Sequence, residues 1–397
     1  MFKSIKMTII ALMSLLSIGC HSLNEPLSTS SKNTCETNGI IISKNFEAGR
    51  FSACHVISKN HIELFLSPEN TPINASPWYA FKLESTKETS IDVTLHYLHH
   101  THRYNPNTSQ DLQSWVLLDE DKVSISQDEK RVKLSLELNG NPVWIASHPI
   151  VDNSFYDNWL ASFTNYSTNI NLQEIGKSGE NRALIELSSF ADDSAPTIVL
   201  LGRQHPPEIT GAIALQSFVD RIFKNDKLAQ VFRQHFNVLI YPNINPDGVA
   251  LGNWRSNSNG KDLNRDWGPF DEKETQQVIK AIEEKTRKNS VWGMLDFHST
   301  WTDLFYTQTE QQPNRFPLFT KDWMNALNSS DSPIKFERKQ SYKPDSPTSK
   351  NYFYERYQIP AITFELGENS TFEDIKVSAA IAAETYMQQL LIRKQAR

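Results

Sequence analysis

Two periodicities divide the chain. From Gly39 to about Ile150, apolar and polar positions alternate. Ile91, Val93, Leu95 and Tyr97 stand against Asp92, Thr94 and His96, and Val132, Leu134, Leu136 and Leu138 stand against Lys133, Ser135 and Glu137. A period of two marks strands that bury one face. Turn-forming stretches, Ser67-Pro-Glu-Asn70 and Asn139-Gly-Asn-Pro142, separate the runs. Residues 39–150 are therefore predicted to form a small all-β sandwich. Over 151–397, short apolar runs alternate with helical stretches, the pattern of an α/β domain. The predicted strands are Thr197–Leu201, Phe236–Tyr241, Val291–Phe297 and Pro360–Leu366, and the predicted helices include Thr210–Phe223 and Glu272–Lys288.

The first 38 residues follow neither pattern. Lys3 and Lys6 precede an apolar stretch, Met7 to Ile18, with Gly19 before Cys20. Residues 1–19 thus read as a secretory leader, too short to span a bilayer. Leu16-Ser-Ile-Gly-Cys20 resembles a bacterial lipoprotein signal, with Ser17 departing from the aliphatic residue usual at its position. That resemblance implies a lipid on Cys20 and export to the periplasm or cell envelope, with the chain held to a membrane; simple secretion and an uncleaved anchor are the alternatives. Residues 20–38 are rich in Ser, Thr and Asn and are expected to be a flexible tether. Cys35 and Cys54 are then left as a candidate disulfide in an oxidising compartment. Loss of the leader takes the formal charge from −6 to −8, and no basic patch invites nucleic acid.

The polar clusters fall at the ends of predicted strands or in the loops after them, where ligands bind in open α/β sheets. His205 and Glu208 lie three residues apart beyond the run Thr197–Leu201. An imidazole and a carboxylate at that spacing suit a metal, and His298, closing Val291-Trp-Gly-Met-Leu-Asp-Phe-His298, is the candidate third ligand. Three protein ligands leave one position open, as in catalytic zinc sites. The stretch from Tyr241-Pro-Asn-Ile-Asn-Pro-Asp-Gly248 through Gly252-Asn-Trp-Arg255 to Asp262-Leu-Asn-Arg-Asp-Trp267 is too polar for a core element and reads as a long functional loop. Arg255 and Arg265 offer donors for a carboxylate or a developing oxyanion. Glu365 interrupts the buried run Ala361–Leu366, so it must face a cleft or a partner. His96, His100 and His102 share a strand face without a carboxylate or cysteine at ligand spacing, and are expected to be strand-end side chains.

In combination, His205-x-x-Glu208, Arg255, Asn264-Arg265, His298 and Glu365 resemble the M14 zinc carboxypeptidases. Asn245-Pro-Asp-Gly, Gly252-Asn-x-Arg255 and Gly260-Lys-Asp-Leu-Asn-Arg265 resemble the cytosolic carboxypeptidase branch, as do Asn45-Phe-Glu-Ala-Gly-Arg-Phe51, Trp78-Tyr-Ala-Phe81 and Trp144-Ile-Ala146 in the preceding domain. The resemblance implies a mixed-sheet catalytic domain behind a β-sandwich, and one zinc ion held by His205, Glu208 and His298. Glu365 would take the proton of a zinc-held water, Arg255 would stabilise the oxyanion, and Asn264 and Arg265 would hold the free C-terminal carboxylate of a peptide. Asp296 could orient a ligand from behind. The position fifteen residues before Glu365, Lys350, would line the specificity pocket and favour an acidic terminal residue; the alternative for Lys350 is a solvated loop charge. Tyr342 lies nearest by spacing to the tyrosine that many members carry in a mobile loop. Three other readings stay open: a cell-wall peptide amidase, an N-acyl amino acid hydrolase, and an inactive peptide-binding lipoprotein.

Overall fold

The computed structural model describes residues 33–165, 170–286 and 290–396. The leader, Cys20 and the tether as far as residue 32 lie outside the described residues.

The alternating segment forms a six-stranded and a five-stranded sheet. Glu88–Tyr97 and Arg131–Asn139 pair antiparallel with Leu95 opposite Val132 and Val93 opposite Leu134, so the apolar rows of both strands fall on one face. Ile42, Phe81 and Ile145 of one sheet join Ile62, Leu64, Val93 and Leu134 of the other in a single buried cluster.

The sandwich begins inside the expected tether. Thr34–Thr37 is a strand paired with Ile40–Ser43, and a disulfide joins its Cys35 to Cys54 of the strand Ala53–Ser58. The first is a short hairpin and the second joins residues 19 apart, and a Ser- and Thr-rich composition reveals neither. The histidines of the sandwich find separate partners. His96 reaches Glu63 of the neighbouring strand at 3.2 Å, His100 the Ile73 carbonyl and His102 the Tyr97 hydroxyl.

From Ile170 onward an eight-stranded mixed sheet carries the second half. Its spatial order is Ile170–Lys177, Ala183–Ser189, Asn237–Tyr241, Thr197–Gly202, Val291–Thr300, Ala361–Gly367, Leu304–Thr307, Glu337–Gln340. Its third to sixth strands run parallel, and helices such as Ile209–Phe223, Lys273–Lys285 and Phe372–Gln395 supply the crossovers and cover. Val291–Thr300 runs past its predicted end because its pairing with Ala361–Gly367 continues through His298 opposite Glu365.

The two halves pack as one compact unit. Fully buried Trp254 donates to the Trp78 carbonyl at 2.9 Å, and Trp78 in turn donates to the Ala48 carbonyl at 2.8 Å. Arg103 of the sandwich forms a two-pronged ion pair with Glu368, at 2.6 and 2.9 Å, just beyond the Glu365 strand. Among the described residues no helix is long and apolar enough to cross a membrane.

Candidate metal centre and cleft

The loop after Thr197–Gly202 is shaped by Arg203, whose backbone sits in the left-handed region at φ 52°. Its buried guanidinium donates to the Pro206 and Val151 carbonyls at 2.9 and 2.8 Å. The turn delivers His205 into the sheet's open end and makes Glu208 the residue that precedes the helix Ile209–Phe223.

Glu208 stands between two imidazoles. Its Oε1 lies 2.7 Å from Nδ1 of His205, and its Oε2 lies 2.7 Å from Nδ1 of His298. Each ring's other nitrogen faces a second carboxylate: Nε2 of His205 is 2.9 Å from Asp262, and Nε2 of His298 is 2.9 Å from Asp296. A neutral ring that donates from Nε2 has only a lone pair at Nδ1, which would then oppose a carboxylate oxygen at 2.7 Å. A cation among these three groups removes the conflict, and their ligand atoms all lie within 4.8 Å of one another. The donor set, two imidazole nitrogens and a carboxylate, fits zinc. Burial pushes the Glu208 carboxyl up, but the charges of His205 and His298 outweigh it and hold the group well below the usual carboxylate range.

Asp262 does double duty. While Oδ1 serves His205, Oδ2 accepts from Nε of Arg255 at 2.7 Å, so one carboxylate fixes both a ligand and the arginine. Sequence reasoning passed over it, although it stands two residues before Asn264. Asp296, expected behind a ligand, is fully buried and accepts from Gln204 at 2.6 Å and from the Ser349 hydroxyl as well as facing His298.

His205, Glu208, His298, Arg255, Asn264, Arg265, Lys350 and Glu365 all line one cleft of about 580 Å³. Asn264 accepts from the Ser349 N–H at 3.0 Å, which fixes its amide. Glu365 is aligned with His298 across the parallel strands, and its buried Oε2 has no hydrogen-bond partner among the described residues. Burial pushes its carboxyl up to about 7, against the opposing charge of His298.

One of the two readings of Lys350 falls, and Tyr342 is not in the cleft. Lys350 is neither in a loop nor solvated: it lies in the first turn of the helix Ser349–Tyr357 and donates to the Ser341 carbonyl. Thr348 caps that helix by accepting from Asn351, a start that a run rich in Ser, Pro and Thr conceals. Tyr342 donates to Glu355 at 2.8 Å and lies outside the cleft lining, whose tyrosine is Tyr306 on Leu304–Thr307. No spacing signal marks Tyr306. The sandwich also reaches the cleft, through Asn74, Ala75, Ser76 and Arg103, the last stacked 4.1 Å from the ring of Trp301.

The family profile for zinc carboxypeptidases, Peptidase_M14, matches residues 156–386, more than half the chain. The chain belongs to the M14 zinc carboxypeptidase family. This M14 metallocarboxypeptidase is 22% identical over 343 residues to an uncharacterized protein of Zymomonas mobilis, a match covering 82% of this chain and 87% of that protein. It is 34% identical over 101 residues to cytosolic carboxypeptidase 6 of Mus musculus, covering 24% of this chain and only 19% of the relative. Solved structures share the fold. A metallo-carboxypeptidase from Burkholderia cenocepacia has a TM-score of 0.74 at 18% identity, covering 89% of this chain and 100% of that one. A Pseudomonas aeruginosa metallo-carboxypeptidase in complex with (2-guanidinoethylmercapto)succinic acid has a TM-score of 0.72 at 19% identity, covering 89% and 99%.

Proposed function

We propose that this enzyme removes a C-terminal acidic residue from peptides. One observation carries the acidic preference. Arg255 and Arg103 are each paired with a carboxylate, whereas Arg265 and Lys350 donate to backbone carbonyls, of Asn264 and Ser341, and have no carboxylate partner among the described residues. An acidic terminal residue brings two carboxylates, one for each cation.

His205, Glu208 and His298 would hold the zinc ion, which when bound supplies Lewis acidity and lowers the pKa of a water to about 7. Asn264 and Arg265 hold the α-carboxylate, so the scissile bond is the last in the peptide. Lys350 receives the terminal side chain. Glu365 takes the attacking water's proton at its Oε2, which has no hydrogen-bond partner among the described residues, and passes it to the leaving amine. Arg255, its Nε engaged by Asp262, directs its remaining N–H groups to the oxygen that gains charge.

The test is a set of peptides differing only in the last residue, offered with N-acyl amino acids and a cell-wall stem peptide. Loss of one residue is expected, fastest for Glu or Asp, with Lys350→Ala lowering kcat/KM on those ends by about tenfold to hundredfold. Hydrolysis of the acyl amino acids alone, or of the stem peptide alone, would replace this reading. The Cys35–Cys54 disulfide supports export to an oxidising compartment, and the lipid on Cys20 rests on the leader motif alone. Fractionation of cells carrying Cys20→Ala should find the protein released from the membrane.

A further inference from the structure

The loop that carries Arg255 is held by a residue of the other domain. Glu69, in the turn Ser67–Asn70 of the sandwich, accepts three successive backbone N–H groups: Trp254 at 2.8 Å through Oε2, and Arg255 and Ser256 at 2.9 and 2.6 Å through Oε1. Successive N–H groups converging on one point form an anion-binding concavity, and a carboxylate there makes charge-assisted hydrogen bonds. The contact spans 186 residues of sequence at Arg255 and fixes the backbone of the arginine itself.

Its neighbours tie down the same loop. Asn70 donates to the Gly260 carbonyl, Arg50 donates to Asn253 at 3.3 Å, and Gly252 holds a left-handed turn at φ 61°. A Cβ at Gly252 would stand 2.6 Å from the Ala48 carbonyl oxygen, which is how closely the sandwich approaches. Arg255 is thus fixed twice, at its side chain by Asp262 and at its main chain by Glu69.

We infer that Glu69 is a positioning residue for catalysis, setting the Arg255 main chain so that the guanidinium meets the oxyanion. The inference rests on the oxyanion role proposed for Arg255. A displacement of about 1 Å in such a group can cost on the order of a hundredfold in rate. Because the contribution is made in the transition state, it falls on kcat rather than KM.

A double-mutant cycle on the full chain tests it, with rates normalised to bound zinc and thermal melts recorded alongside. Arg255→Ala alone tests the oxyanion role, with a kcat loss of about a hundredfold or more expected. Glu69→Ala should lower kcat by about tenfold to hundredfold with KM within about twofold, and should add no further loss in the Arg255→Ala background. Multiplying losses, or a lowered melting temperature with kcat per zinc unchanged, would reduce Glu69 to an interdomain tie and overturn the inference. Should Glu69→Ala not fold, Glu69→Gln takes its place in the cycle. Its amide sets a donor against the Trp254 N–H, so a several-fold loss of kcat is expected, and wild-type kcat would be equally decisive against the proposal.

Discussion

Lys350 is buried deeply enough that its ammonium is pushed down to about 8. The cation is therefore present below pH 8 and is lost as pH rises through that value, while a substrate carboxylate stays ionised across the whole range. The ratio of kcat/KM for a Glu-ended peptide to that for its Gln-ended twin should be flat below pH 8 and fall by about tenfold per unit above it. Taking the ratio cancels every group that acts on both peptides. A ratio that does not change with pH would remove Lys350 from the specificity pocket. Individual residues were legible in the sequence where chemistry left little choice: His205 and Glu208 by their spacing, Glu365 because a lone carboxylate in a buried run requires a reason. Asp262 and Tyr306 were not, because their roles come from the residues that folding brings beside them. Nothing local distinguishes an aspartate that reaches a histidine 57 residues away from one that faces water.

At the scale of elements, the parallel strands place the candidate metal ligands and one helix holds them in line. Ser299, next to His298, accepts from the Thr210 hydroxyl at 2.7 Å and the Gly211 N–H at 2.9 Å, tying the start of Ile209–Phe223 to the ligand strand. The approach is so close that a Cβ at Gly211 would stand 2.6 Å from the His298 carbonyl oxygen. Gly211→Ala must push helix and strand apart. We expect a loss of about 1–3 kcal/mol in stability, read from denaturant melts, and a zinc affinity lower by about tenfold in chelator competition. Unchanged zinc affinity would mean that the site absorbs the shift. The central strands were readable because they are buried on both faces, as continuous apolar runs with polar residues at their ends. The strand Thr34–Thr37 and the helix Ser349–Tyr357 were not, since pairing and capping secure them more than composition does.

Over the whole molecule, the sandwich and the α/β half each leave the other incomplete. Trp254 is fully buried, with its indole donating to the Trp78 carbonyl and lying against His100 of the sandwich. Residues 151–397 produced alone should be aggregated or loosely folded, as judged by sedimentation and near-ultraviolet circular dichroism. A monomeric fragment with native zinc affinity and turnover would refute that. The sequence marked the change of periodicity near residue 150, but periodicity reports how each segment buries its own face and not how far two segments depend on each other. The grip of the sandwich, Glu69 on the Arg255 loop and Arg103 on Glu368, bears on inheritance. A recombination crossover between the two halves would deliver an intact α/β fold whose arginine had lost its backstop. The smallest piece of this gene that can move between genomes and arrive working therefore begins with the sandwich, and libraries of chimaeras should place their joints outside it.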